Sequence, residues 1–356
     1  MTDGKHIQDV EVDELPVRHI FRWDLDKTYL RTEFDTVRDL IRTALQKPEE
    51  KVNVPGAVAL LRELTREKEQ TRALVTFISG SPSQMRNTLE RKFELDGIRP
   101  DAFILKPTLK NILTGRFRAV RGQVGYKLDS LLRLRAMSQI APETLFGDDA
   151  EQDAFIYSLY ADLAAGTVDE EQLVAILDEA EVYDVTAESI LSHFANTRVH
   201  DNVQRIFIHL DRRSAPGRFW VFGPRLIPII NYFQAALVLY ADEVIAADGL
   251  IRVASEMIER DDYGLVELAN SLQDLARRRH VDMSVLDRLA DEWEHAEHQK
   301  ALPPGFLERL ITRVRALSPR VQNVTREWEG PVDYIEVLRA DRKMRESVQP
   351  KKGLFS

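Results

Sequence analysis

Directly after an apolar run, the chain reads Trp23-Asp24-Leu25-Asp26-Lys27-Thr28. Two carboxylates spaced i and i+2 at a strand end can project into one cleft as the backbone turns. One could attack a phosphorus atom while its neighbour manages the leaving group's proton. A phosphoryl group brings its own negative charge, so carboxylates beside it call for a metal ion that offsets the repulsion. Alone, the Asp-x-Asp-x-Thr spacing fits an N-capping turn equally well. Its company along the chain decides between the two.

That company stands at other strand ends, in order. Ser79 closes an apolar run in Ile78-Ser79-Gly80-Ser81-Pro82. A hydroxyl and the backbone amides at Ser79 and Gly80 could hold phosphate oxygens near the next helix's N-terminus. Lys127 opens an amphipathic helix, and its ammonium could neutralise an attacking carboxylate and a phosphoryl group together. Further on comes Gly147-Asp148-Asp149-Ala150-Glu151-Gln152-Asp153. Such an acidic cluster suits Mg²⁺, a hard cation held by one or two carboxylates plus waters. Singly, these are a turn, a surface lysine and a helix cap. Together and in order, they read as one site.

The elements that must position these residues alternate. Strands are expected at Val17 to Trp23, Ala73 to Ile78, Ala102 to Leu105, Thr144 to Phe146 and Arg205 to Leu210. Between them run helical patterns: Ala57, Leu60, Leu61 and Leu64; Met85, Leu89 and Phe93; Leu128, Leu131 and Leu132. Strands alternating with helices imply an α/β fold with a mainly parallel sheet. Ligands of such sheets bind beyond the strands' carboxyl ends. Residues 166–200 read as an acidic helical insertion, and after Pro224 the chain looks helical almost to its end.

With these residues in view, Asp24-x-Asp26-x-Thr28, Ser79, Lys127 and Gly147-Asp148 with Asp153 resemble the four motifs of haloacid dehalogenase-like phosphatases. The resemblance covers about residues 18–165, together with the fifth strand to Asp211, and implies a Rossmann-like core. It implies Asp24 as the nucleophile that forms a phospho-aspartate, and Asp26 as general acid, then base. It implies Mg²⁺ held by Asp24, the main-chain carbonyl of Asp26, and Asp148, with Asp149 or Asp153 supporting the ion from behind. Thr28, Ser79, Gly80 and Lys127 would orient the loop and bind the phosphoryl group.

A narrower resemblance rests on Ile78-Ser79-Gly80-Ser81-Pro82-Ser83-Gln84, Ile104-Leu105-Lys106 and Asp148 through Tyr157. These are similar to the catalytic domain of actin-patch-type phosphatidate phosphatases and their bacterial relatives, which implies a phosphorylated lipid as substrate. Lys27 stands where an acidic or small residue is commoner in that family, and Asp149 where serine is usual. The intervals from Asp24 to Ser79 and from Ser79 to Lys127 leave no room for a large cap.

Composition narrows the alternatives. The 356 residues hold 49 Lys and Arg against 58 Asp and Glu, a net charge of −9, which disfavours nucleic acid as a partner. Zero cysteines exclude disulfides, thiolate zinc sites and a cysteine nucleophile. Met1 to Pro16 lacks the apolar run of a signal peptide, and the longest uncharged stretch, Leu226 to Ala241, is shorter than the ~20 residues of a spanning helix. A cytoplasmic protein is expected. Phe219 to Tyr240, rich in aromatics, reads as a buried helix rather than a membrane-interface one. Peripheral contact with anionic lipid through the basic stretch Arg339 to Ser356 is the weaker alternative to a solvated tail. Asp291, Glu294, His295 and His298 read as a solvated helix face, and His209 as a core or edge residue.

The expected organisation is a tail at 1–17, the phosphatase core at 18–240, a helical region at 241–330, and a terminal helix with basic tail at 331–356. Two functions compete. One is a Mg²⁺-dependent phosphomonoester phosphatase whose substrate class includes phosphatidate-like lipid. The other is a non-catalytic phosphate sensor or scaffold whose helical region docks a partner.

Overall fold

The computed structural model describes residues 15–32, 46–66, 70–106, 120–282, 284–293, 295, 302, 304–315, 328 and 330–348. Among them, six strands form one all-parallel sheet: β1 (Val17–Trp23), β2 (Arg72–Pro82), β3 (Ala102–Lys106), β4 (Glu143–Asp148), β5 (Val203–His209) and β6 (Leu226–Ile229). Their order is β3-β2-β1-β4-β5-β6. The chain steps outward to β3 and then returns to the other side of β1. This leaves a crevice between the carboxyl ends of β1 and β4, where ligands of such sheets bind.

Apolar residues occupy both faces of the strands, as a sheet covered on two sides requires. Phe21, Trp23, Val75, Phe77, Phe146, Phe207 and Ile227 feed one core. Ile78, Leu145, Ile206 and Ile208 feed the other. The first core is covered by α1 (Ala57–Thr65), α2 (Arg86–Asp96), α7 (Tyr232–Ala241), α8 (Ala247–Arg260) and α9 (Leu265–Arg277). The second is covered by α3 (Val120–Met137), α4 (Asp153–Ala165), α5 (Glu170–Glu179) and α6 (Asp184–Ala195). Helices α10 (Ser284–Trp293), α11 (Phe306–Arg315) and α12 (Tyr334–Val348) complete the described chain. Arg22 is tolerated inside β1 because Glu143 accepts its Nε at 2.9 Å, and Arg135 and Tyr160 bind the same carboxylate.

The expected α/β class, the parallel sheet and the helical insertion are present. Two expectations need correction. The chain is not helical from Pro224 onward, because Leu226–Ile229 is β6, the edge strand beside β5. Pro228 lacks a donor for the ladder, which an edge strand accommodates. Lys127 does not open its helix either. Helix α3 begins at Val120, despite Gly122 and Gly125, which disfavour a helix in isolation. Gly125 is suited to a close approach, since a Cβ there would meet Thr186 and Val182 of the insertion at 3.0 and 3.1 Å. Helix α7 is buried from Tyr232 through Tyr240, as expected for that part of the aromatic stretch. Residues 1–14, Glu294, His298 and the basic end 349–356 lie outside the described residues.

Just past α9, His280 is held beside Arg278 and Arg205, and burial together with these guanidiniums pushes its imidazole down to about 4. In the unfolded chain it titrates near 6.5. The folded state therefore binds fewer protons between these values, so its contribution is intact above about pH 6.5 and is lost as pH falls toward 4. The urea midpoint should decline across that window, and His280→Asn should flatten the decline. Parallel pH curves for the two proteins would contradict this.

Candidate active site

Asp24 leaves β1 with its N–H donated to Phe146 O at 2.8 Å, fixing it against β4. The following turn closes through Tyr29 N and Leu30 N on Leu25 O, at 2.9 and 2.8 Å. Within it Lys27 adopts φ of 62°, a left-handed conformation that a side chain rarely takes. The turn is clamped from β5 and α7. His209 Nδ1 donates to Lys27 O at 2.9 Å, and the Tyr232 hydroxyl donates to Thr28 O at 2.7 Å. His209, half-buried at the end of β5, thus ties the turn after β1 to the sheet.

From β2, the Ser79 and Ser81 hydroxyls both donate to Asp26 Oδ2, at 3.2 and 2.8 Å. Gly80 lies between them and is partly exposed. Ser81 was not singled out by spacing, although as the i+2 neighbour of Ser79 on β2 it projects to the same side. Burial pushes the Asp26 carboxyl up, against the opposing pull of these hydroxyls.

Lys127 projects from the third turn of α3 into the crevice. Its Nζ lies 2.8 Å from Asp24 Oδ1, 2.9 Å from Glu151 Oε2 and 2.5 Å from Asp153 Oδ1. Burial disfavours the ammonium, but Asp153, Asp24 and Glu151 hold its pKa well above the ordinary lysine range. Asp148, fully buried, accepts from Ala150 N and Glu151 N through Oδ1, and from the Thr28 hydroxyl at 3.5 Å. Asp153 Oδ2 accepts from Asp148 N at 3.3 Å. Asp149 turns away, accepting from Arg212 N and Ser214 N at 2.7 and 3.0 Å. The structure thus separates the two acids that spacing left undecided: Asp153 faces the crevice and Asp149 caps the loop after β5. Glu151, in the loop between β4 and α4, is the residue that spacing underweighted, since its partner Lys127 lies on α3.

Asp24, Asp148 and Asp153 each present an oxygen within 4.8 Å of the others. Burial, then the neighbouring carboxylates, pushes Asp24 and Asp148 well up, with Lys127 opposing; burial likewise raises Asp153. At an effective dielectric of about 20, two carboxylates at this separation repel by roughly 3–4 kcal/mol. One ammonium faces four carboxylates here. Asp24 Oδ2 is buried with no hydrogen-bond partner among the described residues, although buried carboxylate oxygens ordinarily have one. An oxygen-lined, over-charged cluster with an orphaned carboxylate oxygen has the donor chemistry that magnesium takes.

Residues 23–176 match the family model of phosphatidate phosphatase APP1, catalytic domain. The match contains every site residue named from β1, β2, α3, β4 and α4. β5, β6 and the helices from α6 onward, including the clamps His209 and Tyr232, lie beyond it. Neither a curated protein nor a solved structure matches the chain. Over this stretch the chain is similar to a phosphatidate phosphatase catalytic domain, in line with the resemblance carried by its motifs.

The matched segment contains one glycine, Gly147, at which a side chain would clash with its neighbours. A Cβ on Gly147 would lie 2.5 Å from Asp153 Oδ2 and 2.8 Å from the Tyr157 ring. Gly147→Ala should therefore destabilise the fold by about 2–4 kcal/mol and lower activity by pushing Asp153 off Lys127. Urea denaturation and initial rates check this, and a neutral variant would show that the site has slack.

Proposed function

We propose that the chain is a Mg²⁺-dependent phosphomonoester phosphatase of the haloacid dehalogenase-like class, acting on a phosphatidate-like lipid through a phospho-aspartate on Asp24. The observation that carries this is the buried Asp24 carboxylate at the β1 end, ion-paired with Lys127 and keeping one oxygen unpartnered among the described residues. Asp24, Asp148 and Asp153 would hold the magnesium ion, whose charge offsets the repulsion between carboxylates and phosphate. Asp24 attacks phosphorus as the ester P–O bond breaks, and Asp26, its carboxyl raised by burial, gives its proton to the departing alkoxide. Asp26 then takes a proton from water. That water's oxygen attacks phosphorus, the bond to Asp24 breaks, and inorganic phosphate leaves with Asp24 again a carboxylate and Asp26 again protonated. Ser79 and Ser81 hold Asp26 in place, while Thr28, His209 and Tyr232 fix the turn.

Among the described residues no helix is long and apolar enough to cross a membrane. Phosphatidate would then be met at a membrane surface. Phosphate release from phosphatidate in mixed micelles and from p-nitrophenyl phosphate should require Mg²⁺ and stop on adding EDTA. No Mg²⁺-dependent release from any phosphomonoester would defeat the assignment. Release from p-nitrophenyl phosphate alone would remove the lipid.

A further inference from the structure

The Lys127 ammonium has three N–H groups to give. In this structure each has a carboxylate within reach: Asp24 at 2.8 Å, Glu151 at 2.9 Å and Asp153 at 2.5 Å. A phosphoryl oxygen that is to touch Lys127 must therefore displace one of them. Asp24 and Asp153 are 2% and 0% exposed, whereas the Glu151 side chain is 22% exposed. Its backbone is tied down, since Glu151 N donates to Asp148 Oδ1 at 3.2 Å, but its side chain reaches Lys127 from the edge of the crevice. Glu151 also has somewhere to go. Lys106, at the end of β3, is near enough for Glu151 to favour its charged form against burial, and its Nζ stands 5.7 Å from the Tyr126 ring centroid.

We propose that Glu151 is a displaceable gate on Lys127 that makes the site select phosphate dianions over monoanions. Its carboxylate holds the ammonium's third hydrogen until a more highly charged group replaces it, and it then turns toward Lys106. A phosphomonoester, with two negative charges, competes well against one carboxylate. A phosphodiester, with one, does not. Discrimination thus comes from a repulsive group that the wrong ligand cannot expel. Since this deepens the phosphatase assignment above and rests on it, the test must separate the two.

Inorganic phosphate and dimethyl phosphate, a monoanion, are titrated calorimetrically into the full-length protein at saturating Mg²⁺. Wild type should bind phosphate and not dimethyl phosphate. Glu151→Gln should bind phosphate about 10-fold tighter, gain measurable dimethyl phosphate binding and show a KM for p-nitrophenyl phosphate lower by the same factor. Glu151→Ala should behave alike. Lys106→Ala should weaken phosphate binding about threefold in wild type and much less beside Glu151→Gln. If wild type turns over its substrate but the Glu151 variants bind phosphate equally or more weakly, the gate is overturned and the phosphatase stands. If neither protein binds phosphate nor shows Mg²⁺-dependent turnover, the phosphatase assignment falls and takes the gate with it.

Discussion

Asp24→Asn should reduce phosphate release by ~10³-fold or more while making the metal-free protein harder to unfold. The loss follows from chemistry, because an amide is a far weaker nucleophile toward phosphorus than a carboxylate. The gain follows from electrostatics. Burial and the neighbouring Asp153, Glu151 and Asp148 carboxylates push Asp24 well up, against the pull of Lys127. A carboxyl raised in the folded state is destabilising wherever pH holds it ionised. Replacing it with a neutral isostere should add about 1–3 kcal/mol at pH 7. Mg²⁺ should raise the melting temperature of the wild type, and that rise should shrink in the same variant. Full-rate turnover by Asp24→Asn would place the nucleophile elsewhere. A melting temperature that drops would mean that the Lys127 ion pair outweighs the crowding.

Lys127→Met should have the opposite thermodynamic sign. The side chain keeps its approximate length and loses its charge, leaving Asp24, Asp153 and Glu151 without their shared cation. Breaking a buried ion pair from one side typically costs about 3–5 kcal/mol. The penalty should be largest at neutral and higher pH, and should fade as pH drops and the carboxylates take up protons. Adding Asp153→Asn to Lys127→Met should recover part of the loss, since one repelling charge goes. Denaturation of the single and double variants from pH 5 to 8 measures both effects. A penalty independent of pH would show that Lys127 matters for packing alone. Turnover should disappear in either case.

These expectations rest on a cluster whose parts were unequally legible from sequence. β1 was readable to the residue, since Val17–Trp23 carries Val17, Ile20, Phe21 and Trp23 and is ended by Asp24. The convergence of Asp24, Lys127, Asp148 and Asp153 was readable as an order of motifs, because parallel strands bring successive carboxyl ends to one edge. β6 was not readable. Four uncharged residues that include Pro228 carry neither period, and only β5 beside them makes them a strand. Glu151 and Ser81 were hidden differently: each acts through one contact with a residue distant in sequence, and spacing has no grip on such pairs. The division of labour between Asp149 and Asp153 depended on the start of α4, which turns Asp153 inward. His209 was hidden because its partner is a backbone carbonyl, to which any residue could have been attached.

The shared core on one face of the sheet has a practical consequence. Phe146 of β4 and Phe207 of β5 lie in the same apolar cluster as Leu237, Met257 and Leu272, far along the chain. A shortened protein ending near residue 176 would keep the motif-bearing loops and lose half the wall they lean on. It would also bare the β4 edge, which natural sheets seldom leave open. Swapping the catalytic segment between proteins as a portable cassette should therefore fail. The inheritable unit here is the loops together with the distant helices that brace them.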